Sequence, residues 1–144
     1  MSDEEKIRAL VRDHFEGMKW NNQEEPDWER FRGDFLPGAI LCGAARPAQL
    51  RSLDEFIERM EAVARKNLES FEEQTRSMKI LKFGSIAVVL AVSELLEDGT
   101  DVSQDVSGYL LVKSDDDWKI IAHTWDQAGD DELSLKRLDL QPAV

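Results

Sequence analysis

Apolar residues near the N-terminus recur at steps of three and four: Ile7, Leu10, Val11, Phe15 and Met18, with His14 inside the same stripe. This spacing predicts an amphipathic helix whose inward face carries His14. Ser2 is its expected N-cap, and Glu5 three residues on completes a capping-box pattern. Asn21-Asn22 ends the helix. Pro26 suits the first turn of a short second helix through Trp28 and Phe31, stopping before Gly33 or Pro37. The apolar run 39–42 reads as a first strand, and 43–50 as a loop that Pro47 keeps irregular. A third helix is expected from Glu55 to about Asn67, capped by Ser52 or Asp54, with Phe56, Met60 and Val63 facing inward.

The period then changes from helical to alternating. Residues 70–83 read as a strand with an unusually polar start. Alternation places Glu72, Gln74 and Arg76 on one face and Glu73 and Thr75 on the other. Beyond Gly84, three runs rich in Val, Ile, Leu and aromatics span 85–97, 102–113 and 118–125. Asp98-Gly99 and Asp115-Asp116-Asp117 separate them, and Asp-Gly tolerates the positive φ that a tight hairpin turn needs. Simple alternation on the last run sets Lys119, Ile121, His123 and Trp125 against Trp118, Ile120, Ala122 and Thr124. Residues 1–128 therefore read as one α+β domain. The tail 129–144, with Leu133, Leu135, Leu138 and Leu140, stays open between a strand, a short helix and a segment docking on a partner subunit.

Charge narrows the partners. Thirty acidic residues against 18 basic ones leave a net charge of −12, which repels nucleic-acid phosphates and anionic membranes. The acidic residues are scattered over helix faces and turns and read as solubilising charge. The Asp115-Asp116-Asp117 triplet lacks the alternating ligand spacing and terminal Glu of a calcium loop. No apolar run approaches the roughly 20 residues of a membrane span, and the N-terminus has no signal-peptide pattern. One cysteine, Cys42, excludes an intrachain disulfide and fits a reducing compartment, so a cytoplasmic location is expected. Without a neighbouring base Cys42 reads as a small buried hydrophobe, not a nucleophile. His14 and His123 are the only histidines; two such ligands do not make a metal site, and neither metal nor cofactor is expected. Either histidine suits acid–base work.

The order helix, helix, short strand, helix, long antiparallel strands, closing on 106–113, an acidic turn and Trp118-Lys119-Ile120, resembles the nuclear-transport-factor-2-like superfamily, which includes SnoaL-like cyclases, ketosteroid isomerases and scytalone dehydratase. The resemblance implies a cone-shaped curved antiparallel sheet of five to six strands packed against three N-terminal helices that close an apolar pocket. It also implies homodimers through the outer sheet face. Isomerases of this superfamily carry a carboxylate base on the first strand, whereas residues 38–45 hold no Asp, Glu or His. The expected function is accordingly the binding of a small apolar molecule. The alternatives are a non-catalytic dimerisation module, and an isomerase, cyclase or dehydratase working through histidine. Candidate catalytic residues are His14, Glu72 and His123, with Glu73 as a further carboxylate. Candidate pocket residues are Met18, Trp28, Phe31, Phe35, Tyr109 and Trp125.

Overall fold

A computed structural model describes residues 1–144. Helix α1 spans Asp3–Asp13, and the Ser2 hydroxyl accepts the Glu5 N–H at 3.1 Å as its cap. The backbone then tightens into a 3-10 turn, His14–Gly17. Helix α2, Trp28–Gly33, starts one residue beyond its cap Asp27, so Pro26 precedes the helix instead of entering its first turn. Helix α3, Leu53–Arg59, opens on a complete capping box between Ser52 and Glu55. It runs on through a π-helical turn, Met60–Ala64, into a last helical turn α4, Arg65–Asn67.

The strands are β1 Phe35–Gly43, β2 Arg51–Ser52, β3 Phe71–Phe83, β4 Ile86–Glu97, β5 Asp101–Ser114 and β6 Asp117–Gln127. They form one curved, unclosed sheet in the order β2-β1-β6-β5-β4-β3, with the helices on its concave side. The fold is α+β, as expected. The β4–β5 turn carries positive φ at both Asp98 (53°) and Gly99 (73°), the handedness that matches strand twist. The first strand is longer than its apolar run suggests. Pro37-Gly38 sits inside it, where the register shifts and Gly38 takes φ 89°. That irregularity is tolerated because β2 pairs only with Ile40 and Leu41, which leaves the first part of β1 at an edge. β1 pairs with β6 in parallel, so the sheet is mixed and not wholly antiparallel.

A bulge on β6 corrects the expected face assignment. Leu110 pairs with Ala122 and Leu111 with Ile120, so Ile121 is the extra residue. An extra residue shifts the two-residue phase. Trp118 and Ile120 before it, and His123 after it, are all buried on the concave side, and Trp125 packs against that core. A second bulge at Arg76 bends β3. The core under the helices joins Ile7, Val11, Phe15 and Phe31 to Val89, Tyr109, Leu111 and Ile120.

The C-terminal segment forms a short helix, α5, Glu132–Arg137, and lies on the opposite, outer face of the chain's own sheet. Leu135 and Leu140 are buried there against Val92. Gln104 accepts the Ala143 N–H and donates to the Gly129 carbonyl, and Ser77 bonds both backbone groups of Gln141. No helix is long and apolar enough to cross a membrane.

Candidate functional site

The interior polar groups start with His14, held where α1 tightens into the 3-10 turn. Gly17 makes this possible: a Cβ there would lie 2.8 Å from the Asp27 carbonyl and the Phe31 nitrogen. The close approach brings Phe31 flat under the His14 ring, 4.6 Å between centroids. At the C-terminal end of α2, Asp34 reaches back so that its Oδ2 lies 2.8 Å from His14 Nδ1. The Asp34 carboxylate accepts a hydrogen bond from the proton that His14 carries on Nδ1. Nε2 is fully buried and has no partner in the protein.

β5 and β6 supply the facing wall. Tyr109 and His123 are opposite one another across the pair and stack at 4.4 Å, 7° from parallel. His123 Nε2 meets Ser107 Oγ at 3.0 Å, while its Nδ1 and the Tyr109 hydroxyl have no partner. The His14 and His123 rings are 6.1 Å apart. Burial, reinforced by His14, holds His123 well below the usual histidine range, so it is neutral at physiological pH. Burial, and then the Glu73 carboxyl, push the Tyr109 phenol up. Further along the same concave wall, Ser93 Oγ donates to Glu73 Oε2 at 2.5 Å. Burial lifts the Glu73 carboxyl to about 8, against the opposing effect of that hydrogen bond, so it is mainly a neutral acid at pH 7. The interior thus gathers the His14–Asp34 pair, a neutral imidazole on His123 and an acid-type carboxyl on Glu73.

A cavity of about 360 Å³ opens between the α3–π-turn segment on one side and Trp125 of β6 with the segment from the end of β1 to Arg51 on the other. Its apolar lining includes Phe56, Met60, Val63 and Trp125. Phe56 and Trp125 meet edge to face at 5.7 Å, and the His123 ring lies 5.1 Å beyond Trp125. Gly43 gives the indole its seat, since a Cβ there would come within 3.2 Å of the ring. A second depression, about 330 Å³, lies on the outer sheet face among Ile40, Leu50, Val88 and Leu110.

The structure brings some of the expected site residues together and sets others apart. His14 and His123 converge inside the cone with Tyr109. Glu72 does not join them: it is half-buried on the other face and accepts from Gln74 Nε2. Glu73 is the inward carboxylate. Met18, Phe31 and Phe35 are packed into the core, and Trp28 donates its indole N–H to Glu61 at 2.5 Å. Of the six expected pocket residues, Trp125 lines the cavity beside α3. Cys42 is not in the core; it is half-buried and lines the outer depression, because β1 turns that position outward. No group of three His, Cys, Asp or Glu side chains is arranged to hold a metal ion. Asp34, Ser93 and Ser107 escape a periodicity reading. The two serines leave a trace, since each interrupts an apolar run at an inward position.

The model for the SnoaL-like domain matches residues 8–125. The chain belongs to the SnoaL-like domain family. Three solved structures carry the same fold as this SnoaL-like domain. A cystatin-like-fold protein of unknown function from Nostoc punctiforme matches with TM-score 0.68 and 12% identity, over 87% of this chain and 90% of its own. A candidate scytalone dehydratase from Novosphingobium aromaticivorans matches with TM-score 0.67 and 14% identity, over 87% and 83%. A ketosteroid isomerase-like protein from Erwinia carotovora matches with TM-score 0.62 and 17% identity, over 88% and 98%. At such identities the likeness concerns the fold alone. No curated protein matches the sequence.

Proposed function

We propose that this SnoaL-like domain binds a small, mainly apolar molecule in the cleft between α3 and the concave sheet. The observation that carries the reading is a single stack. The cavity is lined by Phe56 and Trp125; the His123 ring packs behind Trp125, and His14 and Tyr109 pack against His123. Each of these three core residues has a buried polar atom that no protein group satisfies. Buried polar atoms are nearly always paired, so three unpaired ones in the core behind the cavity's aromatic wall support a binding role for this region over a purely structural core. Ligand-observed NMR with a set of aromatic and alicyclic fragments tests this, using Met60→Trp to fill the cavity. Fragments that bind the wild type are expected to lose roughly tenfold or more in affinity in the variant. A set in which no fragment distinguishes the two proteins removes the reading.

The outer face favours a second reading, pairing with another copy through the sheet. Ile40, Leu50, Val88 and Leu110 are 42%, 66%, 47% and 42% exposed around one apolar depression. Contiguous patches of this kind commonly mark an interface, and a self-complementary patch produces a two-fold dimer. The expected result is a dimer in sedimentation equilibrium at micromolar concentration, converted to monomer by Val88→Asp with Leu110→Asp. A wild-type monomer at tens of micromolar ends this second reading.

A further inference from the structure

We propose that the ligand of the α3 cavity is a ring-bearing carboxylate, its ring set against Phe56 and Trp125 and its anionic group held by Arg51 and Arg59. The assignment rests on the cavity-binding reading above and names the chemical class. In a chain of net charge −12 the polar side chains lining this cavity are Gln49, Arg51 and Arg59, with no carboxylate among them. Arg8, Arg12, Arg32, Arg65 and Arg76 each meet an Asp or Glu, whereas the two arginines of the cavity meet none. Arg30, Arg46 and Arg137 outside it also meet none, but only Arg51 and Arg59 are brought together at one cavity. Three acidic groups of the adjoining helix and π-turn are engaged elsewhere: Asp54 meets Arg32, and the other two are Glu55 and Glu61. Glu55 closes the capping box with Ser52, and Glu61 takes Trp28 and Arg65. Gln49 turns its carbonyl oxygen to Arg51 at 3.2 Å, which leaves its amide N–H groups as donors.

The tryptophans point the same way. Trp20, Trp28 and Trp118 each donate the indole N–H to a protein oxygen, but Trp125 has no such acceptor and lines the cavity. The polar side of the cavity is therefore almost all donors, two of them positively charged, opposite an apolar and aromatic side. Guanidinium groups bind carboxylate through paired, charge-assisted hydrogen bonds, and aromatic floors take flat rings. The π-helical turn Met60–Ala64 forms part of the same lining, and such turns are frequent at functional sites.

The test is calorimetric titration at pH 7 with 2-naphthoate and its uncharged counterpart 2-naphthalenemethanol, against wild type and the Arg51→Gln, Arg59→Gln double variant. Neither arginine makes an ion pair within the protein, so the variant is expected to melt at the wild-type temperature. Wild type should bind naphthoate roughly tenfold or more tightly than the alcohol. The double variant should lose that factor for naphthoate and keep its affinity for the alcohol. Equal binding of the two probes, or naphthoate binding that survives the double substitution, overturns the carboxylate assignment and leaves the cavity reading standing. Binding of neither probe to wild type overturns both.

Discussion

Replacing Phe31 by Ala is expected to cost about 3–5 kcal/mol, the range seen for deleting a buried aromatic side chain. Phe31 is fully buried and its ring contacts four other aromatic residues. It stacks on His14 at 4.6 Å and on Phe56 at 5.8 Å, and meets Trp28 at 5.5 Å and Phe35 at 5.3 Å. Those partners come from the 3-10 turn, α2, β1 and α3, so a hole here loosens most junctions between the helices and the sheet at once. For a domain of this size the loss corresponds to a fall in Tm of roughly 10–20 °C, readable by circular dichroism or calorimetry. Phe31→Leu keeps most of the volume and is expected to cost only about 1–2 kcal/mol. A loss below about 1 kcal/mol for the alanine variant would mean that the aromatic cluster does not carry the core.

The same residue shows how far a sequence reaches. Phe31 was visible as an apolar position on a short helix, and the long strands were visible through alternation and the Asp-Gly turn chemistry. Local pattern suffices there because each strand's neighbour is the next one in sequence. The parallel pairing of β1 with β6 is a contact between distant segments, and nothing local to residues 35–43 announces it. The bulge at Ile121 was equally hidden. It depends on how β6 matches β5, and it moved Trp118 and Ile120 to the side of His123. The candidate site divides in the same way. His14 and His123 could be nominated because histidine is rare in this chain. Asp34 could not, because its role follows from where α2 ends in space, and one residue of phase separates the interior Glu73 from the outward Glu72. Arg51 and Arg59, apart in sequence and ordinary in type, acquire meaning only where β2 and α3 bring them to one cavity without a carboxylate for company.

Glu73→Gln is expected to stabilise the protein at neutral pH and to flatten its pH dependence. The Glu73 carboxyl lies at about 8 in the folded chain against an ordinary value of 4.5, chiefly because burial disfavours the charge. Below pH 4.5 both folded and unfolded states hold the proton, and the full stability of the neutral, buried acid is present. As pH rises from 4.5 towards 8 the unfolded chain releases the proton while the folded one keeps it. Stability therefore declines across that window and levels off above it. At pH 7 the accumulated loss is on the order of 3 kcal/mol, at about 1.4 kcal/mol per pH unit. Glutamine has the shape of the protonated acid, its carbonyl oxygen still accepts from Ser93, and it has no proton to lose. Asp105, itself lifted to about 6 by burial and then by Asp126, adds a smaller decline of the same sign to both proteins, so the difference between them isolates Glu73. Urea unfolding at pH 4.5, 6, 7 and 8 reads the result. Near pH 4.5 the two proteins should be about equally stable, and the gap should open steadily towards pH 8. Parallel pH profiles would show that Glu73 ionises freely in the folded state. The concave wall would then present an anion, and its chemistry would have to be read as that of a carboxylate base instead of a neutral acid.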